Sequence, residues 1–256
     1  MAFWLYAAGA SGQPRAIVHL QHDLAFAAAC QARNVLGLSA ADRCLSYSPW
    51  HTAAGLCATL AYPFIAGASS VTRPIAAAGE VAPRRDPLAD ILAFKPTLVF
   101  GEPEHYAHIL AASAGGSRAP QGVRACFSSS PLPGGGGAHA GLSDAFRQRF
   151  GKAIIESLGS PETLCAFISA TPDIHKPGTL GRRVPGFELM LTNGEGQPVR
   201  DGTEGVLRVR GHSSAPCYWN RPEETARTMG SDGWLSTGER LVRDVYGFYA
   251  RPRRFA

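Results

Sequence analysis

Apolar and polar positions fall in short blocks along this chain, with no single long period. Ala2 to Tyr6 is an apolar run, small residues follow, and after Gln13-Pro14-Arg15-Ala16 a second run begins at Ile17-Val18-His19. That order predicts strand, loop, strand. From His22 to Asn34 the chain is alanine-rich, with Leu24, Phe26, Ala27 and Cys30 spaced for a helix returning across a sheet face. A short strand is predicted at Arg43 to Ser46, and a second helix opens within Pro49 to Gly55 and runs to about Ile65. Val71 to Pro87, rich in proline and alanine, reads as a linker or surface loop. A helix follows over Leu88 to Phe94, stopped by Lys95-Pro96. Then come a strand at Thr97 to Phe100, a helix at Glu104 to Ala112, a polar loop at Ser113 to Gln121 and a strand at Val123 to Ser128. Leu142 to Phe150 is predicted helical and Ala153 to Ser157 extended. Strands and helices alternating at this spacing predict an α/β fold with a mostly parallel sheet and flanking helices. From Gly178 the character changes: Phe187 to Leu191 alternates, Asn193 to Gly196 turns, and Gly205 to Val209 returns. A β-rich, barrel-like subdomain is expected there.

With 256 residues, 45% of them hydrophobic, the chain can bury a sizeable core. The net charge of +5 comes from scattered arginines, the lysines being Lys95, Lys152 and Lys176, so no nucleic-acid face is predicted. Six cysteines form no CxxC pair and sit mostly in apolar runs, which predicts reduced, buried thiols in a cytoplasmic protein. No stretch approaches the roughly 20 apolar residues of a membrane span. Met1 stands directly before what reads as an interior strand, an arrangement expected of a chain that begins inside a larger fold.

Three stretches carry candidate chemistry. In Ala8-Gly9-Ala10-Ser11-Gly12 the small side chains let backbone N–H groups close around an anion, Ser11 adds a hydroxyl and Arg15 a charge; a flexible turn is the plainer alternative. Ser129 lies just past a strand, where a parallel sheet exposes its ligand-binding edge. Ser128-Ser129-Ser130 lacks the flanking small residues of a nucleophile elbow, which argues against a hydrolase. The glycine tract 134–137 reads as a turn, and His51 beside Trp50 as a packed or solvent-facing side chain. Glu162, at an apolar strand-to-helix junction, is either a ligand-binding carboxylate or a surface one.

Taken in order, these stretches resemble the signatures of the adenylate-forming superfamily, and their wording is similar to benzoate–CoA ligases. The first matches its phosphate loop, although Ala7, Ala8 and Ala10 stand where hydroxyl residues are usual, Arg15 where a lysine is, and Ala16 where a glycine is. Leu158-Gly159-Ser160-Pro161-Glu162-Thr163 matches a second signature, with Pro161 in place of a threonine. The resemblance implies that Glu162 holds Mg²⁺, that Glu162 and Arg15 are catalytic, and that Gly159, Ser160 and Pro161 lie against nucleotide. It places Ala53, Ala54 and Gly55 in the wall of an acyl pocket, without the large aromatic usual near Ala54, and Cys165 and Ala166 in its floor, with cysteine where histidine is common. Trp234-Leu235-Ser236-Thr237-Gly238-Glu239 matches a third signature, in which Glu239, with Arg254, would contact ribose.

The implied activity is ATP-dependent activation of a carboxylic acid, aryl in class, to an acyl-adenylate and then a thioester with coenzyme A. ATP or AMP, Mg²⁺ and coenzyme A are the implied cofactors. The implied domains are an α/β nucleotide- and acyl-binding core over 1–177, incomplete at its N-terminus, and a β-rich subdomain over 178–256 ending at a hinge. The family's small C-terminal domain is expected to be absent, leaving the ligase impaired and surface free for self-association. A non-catalytic nucleotide- or acyl-adenylate-binding remnant is the alternative.

Overall fold

The computed structural model describes residues 1–8, 12–72, 86–113, 122–128, 141–174 and 176–252. Strands β1 (Phe3–Ala8) and β2 (Pro14–His19) form an antiparallel hairpin, Ala8 pairing with Pro14, so the expected strand, loop and strand are a separate two-stranded ribbon. Residues 217–219 tie it to the body: the Val18 N–H donates to the Cys217 carbonyl at 3.1 Å and the Trp219 N–H to the Ala16 carbonyl at 2.8 Å.

Next comes α1 (Gln21–Ala28), whose last turn widens into a π-helical turn, Ala29–Arg33. Strand β3 (Arg43–Ser46) leads to α2 (Ala53–Leu56), a second π-helical turn (Cys57–Ala61) and α3 (Tyr62–Ala66). Thr52 caps α2, its hydroxyl accepting the Gly55 N–H at 3.0 Å. Strand β4 (Ser69–Val71) was not expected; it is a three-residue edge strand parallel to β3, too short for a periodic signal.

Helices α4 (Pro87–Phe94), α5 (Pro103–Ala112) and α6 (Leu142–Phe150) alternate with β5 (Leu98–Gly101), β6 (Ala125–Ser128) and β7 (Ile154–Gly159). α4 begins with Asp86 accepting the Leu88 N–H at 2.9 Å and Pro87 in its first turn. Every residue of β5 and β6 is buried, as in parallel strands covered on both faces. One face packs on Leu88, Ile91, Tyr106, Ile109 and Phe146 of α4 to α6; the other meets Ala27, Cys57, Ala58 and Tyr62 of the first helices.

The remaining strands are β8 (Ala166–Ser169), β9 (Gly181–Arg183), β10 (Glu188–Thr192), β11 (Glu204–Arg210), β12 (Leu235–Arg243) and β13 (Phe248–Ala250), with helix α7 (Pro222–Thr228) before β12. Together with β3 to β7 they make one eleven-stranded mixed sheet, ordered β10-β11-β12-β13-β9-β8-β7-β6-β5-β3-β4. It is parallel from β4 to β7, as expected, and antiparallel from β7 onward. The β-rich part is therefore no closed barrel among the described residues but a continuation of the same sheet. β11 alternates buried and half-buried positions, and the turn before it is held by Asn193, whose side-chain oxygen accepts the Glu195 and Gln197 N–H groups at 3.0 and 2.9 Å.

Five cysteines are buried and Cys217 is half-buried, and none of the six is bonded to another. Burial pushes the Cys44, Cys57 and Cys126 thiols up to about 12, so they are inert at neutral pH. No helix among the described residues is long and apolar enough to cross a membrane.

Candidate active site

Strand β7 ends at Gly159, where no side chain fits: a Cβ there would lie 2.6 Å from the Cys165 carbonyl oxygen and 2.8 Å from the Ala166 Cα. The chain then makes one 3₁₀ turn, Pro161–Thr163, and reverses at Leu164 in the left-handed region, with φ of 65°. Thr163 is buried, and its hydroxyl donates within this turn, to the Ser160 or the Cys165 carbonyl. The Ser213 hydroxyl binds the Thr163 carbonyl at 2.7 Å, and the Ala215 N–H the Glu162 carbonyl at 2.8 Å. The turn is thus fixed from both sides, which fixes where Glu162 points.

Glu162 is 7% exposed. The Tyr218 hydroxyl donates to its Oε1 at 2.8 Å, and a terminal nitrogen of Arg15 stands 3.7 Å from the same oxygen. Burial, followed by the Glu162 charge, raises the pKa of the Tyr218 phenol, which stays a donor at neutral pH. The Arg15 guanidinium lies 4.6 Å above the Tyr218 ring, and its other ion pair, with Glu224, is 3.9 Å long. Both ion-pair distances exceed hydrogen-bond range. Arg15 Nε is buried and has no hydrogen-bond partner among the described residues. Arg15 is therefore held in place by weak contacts while its donors remain uncommitted. Both contacts to Glu162 fall on Oε1, leaving Oε2 as the oxygen available to a cation.

A buried pair not singled out from the sequence supports this arrangement. His19, at the end of β2, stacks on Phe3 at 5.2 Å; its Nε2 is 2.9 Å from the Pro161 carbonyl and its Nδ1 2.8 Å from Asp23 Oδ2. A carbonyl partner requires the proton on Nε2. The hairpin carrying Arg15 is thereby fastened to the turn carrying Glu162. The i to i+4 spacing of His19 and Asp23 was the available signal. Tyr218 had no such signal, being 56 residues from Glu162.

Beside the turn lies a cleft of about 270 Å³ lined by Ala53, Ala54, Gly159, Ser160, Pro161, Cys165 and Ala166, seven of the residues singled out from the sequence. Phe100 and Phe127, stacked at 5.4 Å, and Tyr62 form its aromatic part, and Gln31 joins the wall from the first π-helical turn. Gly55 does not line it. Its missing side chain is needed for packing, a Cβ there meeting the Pro49 carbonyl oxygen at 2.0 Å.

Glu239 lies outside this cleft, on β12 just past Gly238 with φ of +73°, where the register with β11 shifts. Its Oε2 accepts a 3.0 Å bond from Arg251. Gly12 closes the loop after β1 with φ of +79°. Gly9, Ala10, Ser11, Ser129 and Arg254 lie outside the described residues, and Ala8 ends β1. A larger hollow of about 610 Å³ adjoins Glu188, Arg210 and Trp234; it is lined by Trp234 and Leu235 of the third signature but not by Glu239. Its arginine is already satisfied, bonded to Glu188 at 3.0 and 2.7 Å and lying 4.8 Å over Trp234, so the smaller cleft is the candidate site. No group of three or more metal-ligating side chains exists among the described residues.

Residues 1–219 match the family described as AMP-binding enzyme, and the chain belongs to it. It is 33% identical to the benzoate–CoA ligase of Thauera aromatica, over 98% of this chain and 46% of that ligase. It is 32% identical to the anthranilate–CoA ligase of Pseudomonas aeruginosa, over 96% of this chain and 45% of the relative. The crystal structure of the anthranilate CoA ligase AuaEII in complex with anthranoyl-AMP superposes with a TM-score of 0.86 at 32% identity, covering 96% of this chain and 46% of that one. The chain spans about half the length of these relatives.

Proposed function

We propose that this chain binds adenine nucleotide and an aromatic carboxylic acid as part of an ATP-dependent acid–CoA ligase. In that reaction the acid's carboxylate attacks the α-phosphate of ATP, pyrophosphate leaves, and the acyl group passes from AMP to the thiol of coenzyme A. The observation that carries the reading is the Arg15–Glu162–Tyr218 cluster: a preplaced guanidinium with free donors, set against a carboxylate on the turn whose Pro161 lines an aromatic-walled cleft. Pre-set charge aimed at a phosphate, with no reorganisation needed, is how such sites lower a barrier.

Arg15 would take a phosphate oxygen. Glu162 Oε2 would hold Mg²⁺, an ion that commonly uses one or two carboxylates and completes its shell with phosphate oxygens and water. The ion supplies Lewis-acid stabilisation of phosphoryl charge when bound. Tyr218 orients Glu162, and His19 holds the turn. Ala53, Ala54, Phe100, Phe127, Cys165 and Ala166 would receive the ring, and Glu239, steadied by Arg251, the ribose hydroxyls. A cytoplasmic setting agrees with thiols left unbonded.

Pro161 has no N–H, and Ala7, Ala8 and Ala10 bring no hydroxyls, so donors to phosphate are few. Loss of one such donor costs roughly a hundred- to a thousandfold in rate. These substitutions favour a second reading, a binding module with little turnover. Calorimetric titration with AMP and pyrophosphate exchange with benzoate separate the two. We expect saturable AMP binding that Arg15→Leu weakens roughly tenfold to a hundredfold, the worth of one charge-assisted hydrogen bond. Exchange near an ordinary rate of about 1 per second would favour the full ligase. A folded chain giving no saturable heat at millimolar AMP overturns both readings.

A further inference from the structure

Gln31 is a buried polar residue with an unmet hydrogen-bonding capacity, and it faces the acid-binding cleft. It is 4% exposed, lines the cleft, and its Oε1 has no hydrogen-bond partner among the described residues. Two hydroxyls on the same wall are already engaged. The Thr52 hydroxyl bonds the Pro49 carbonyl at 2.7 Å and the Gly55 N–H at 3.0 Å, and the Ser157 hydroxyl bonds the Ser128 carbonyl at 3.2 Å. Gln31 is also placed by an irregularity of the backbone. It lies in the π-helical turn Ala29–Arg33, and the second such turn, Cys57–Ala61, contributes Ala58 to the same wall. A π-helical turn carries one residue more than an α-helical turn, and such insertions are frequent where a side chain is re-aimed into a site.

Leaving a buried amide oxygen unbonded is unfavourable, so the position calls for a donor that arrives with the ligand. The same cleft has an aromatic and apolar part, Phe100, Phe127, Tyr62 and Ala58, beside polar lining that includes Glu102. A ring therefore fits the space, and a hydrogen-bonding substituent on that ring fits the amide. A glutamine side chain presents both an acceptor oxygen and a donor NH₂, so it suits a hydroxyl, which can use either.

We propose that Gln31 is a specificity-determining residue that selects hydroxyl-substituted aromatic acids over the unsubstituted ring; this rests on the aromatic-acid reading of the cleft. The test is a saturation-transfer NMR titration of the 256-residue chain with benzoate and with 2-, 3- and 4-hydroxybenzoate, repeated on Gln31→Leu and Gln31→Met. At least one hydroxy isomer should bind the unsubstituted protein about tenfold tighter than benzoate, the worth of one neutral hydrogen bond. Either variant should reduce that preference to within about twofold while benzoate binds as well as before or better.

Equal affinity for all four acids overturns the proposal and leaves the aromatic-acid reading standing. So does a preference that survives in a folded variant, or a variant that weakens benzoate and the hydroxybenzoates in parallel, since both assign Gln31 a packing role. Should neither variant fold, the four-acid comparison on the unaltered chain decides. Binding of none of the four overturns the aromatic-acid reading together with this one.

Discussion

Two arginine–carboxylate pairs in this molecule are built in opposite ways. Arg124 closes on Asp42: its Nε is 2.9 Å from Oδ1 and a terminal nitrogen 3.1 Å from Oδ2, while another bond runs to the Leu36 carbonyl at 2.9 Å. Asp42 also takes the Thr97 hydroxyl at 2.7 Å and the Ser39 N–H at 2.9 Å. Both carboxylate oxygens are used, and the pair pins β3, β5 and β6 together where those strands begin. Arg15 and Glu162 stand at the opposite kind of junction, 3.7 Å apart, with a buried Nε unpaired and one carboxylate oxygen uncommitted. A pair that satisfies itself contributes to the fold. One that stops short keeps its capacity for something that is not protein.

Arg124→Leu leaves the nearly buried Asp42 carboxylate without its guanidinium, and should lower stability by about 2–3 kcal/mol, below the usual range for a fully buried pair because Arg124 is partly exposed. Urea unfolding measures this. Arg15→Leu, by contrast, should shift the same midpoint by less than about 1 kcal/mol while weakening AMP. If both variants destabilise alike, the distinction fails.

Acid acts on the same Asp42 carboxylate. Burial pushes the Asp42 carboxyl up, but the hydrogen bonds from Arg124, Thr97 and Ser39 outweigh burial and hold it down at about 2. The folded value lies below the unfolded one, so the stabilisation is complete above about pH 4 and is lost as pH falls toward about 2. Its size is about 2 kcal/mol. The stability gap between the natural chain and Asp42→Asn should narrow by about 1.5 kcal/mol between pH 6 and pH 2.5, and an unchanged gap would remove Asp42 as the acid-sensitive group. Tyr218→Phe, which removes one bond to Glu162, should cost about 1 kcal/mol by thermal unfolding.

Much of the fold was legible because local rules agreed with it. Arg43 to Ser46 and Leu142 to Phe150 have the predicted bounds, and α4 carries its own cap and stop in Asp86, Pro87 and Lys95-Pro96. Strand β7 runs two residues past its expected end at Ser157, to Gly159, where a tight backbone approach tolerates no side chain. The residues of the cleft were readable as three short stretches, since each holds its pattern within a few positions.

What the chain order could not state was how those stretches meet. Tyr218 reaches Glu162, and His19 reaches Pro161, across 56 and 142 residues, distances at which no periodicity connects one position to another. Gly55 illustrates the reverse: its neighbours line the cleft, yet its own role is set by the Pro49 carbonyl packed against it. Sheet direction followed the same division. Alternating helices and strands dictated the parallel half, because a parallel connection needs a crossover. Whether the later hairpins closed on themselves or extended that sheet depended on edge pairing at β7 and β8, a choice that hydrogen-bonding partners make only in three dimensions.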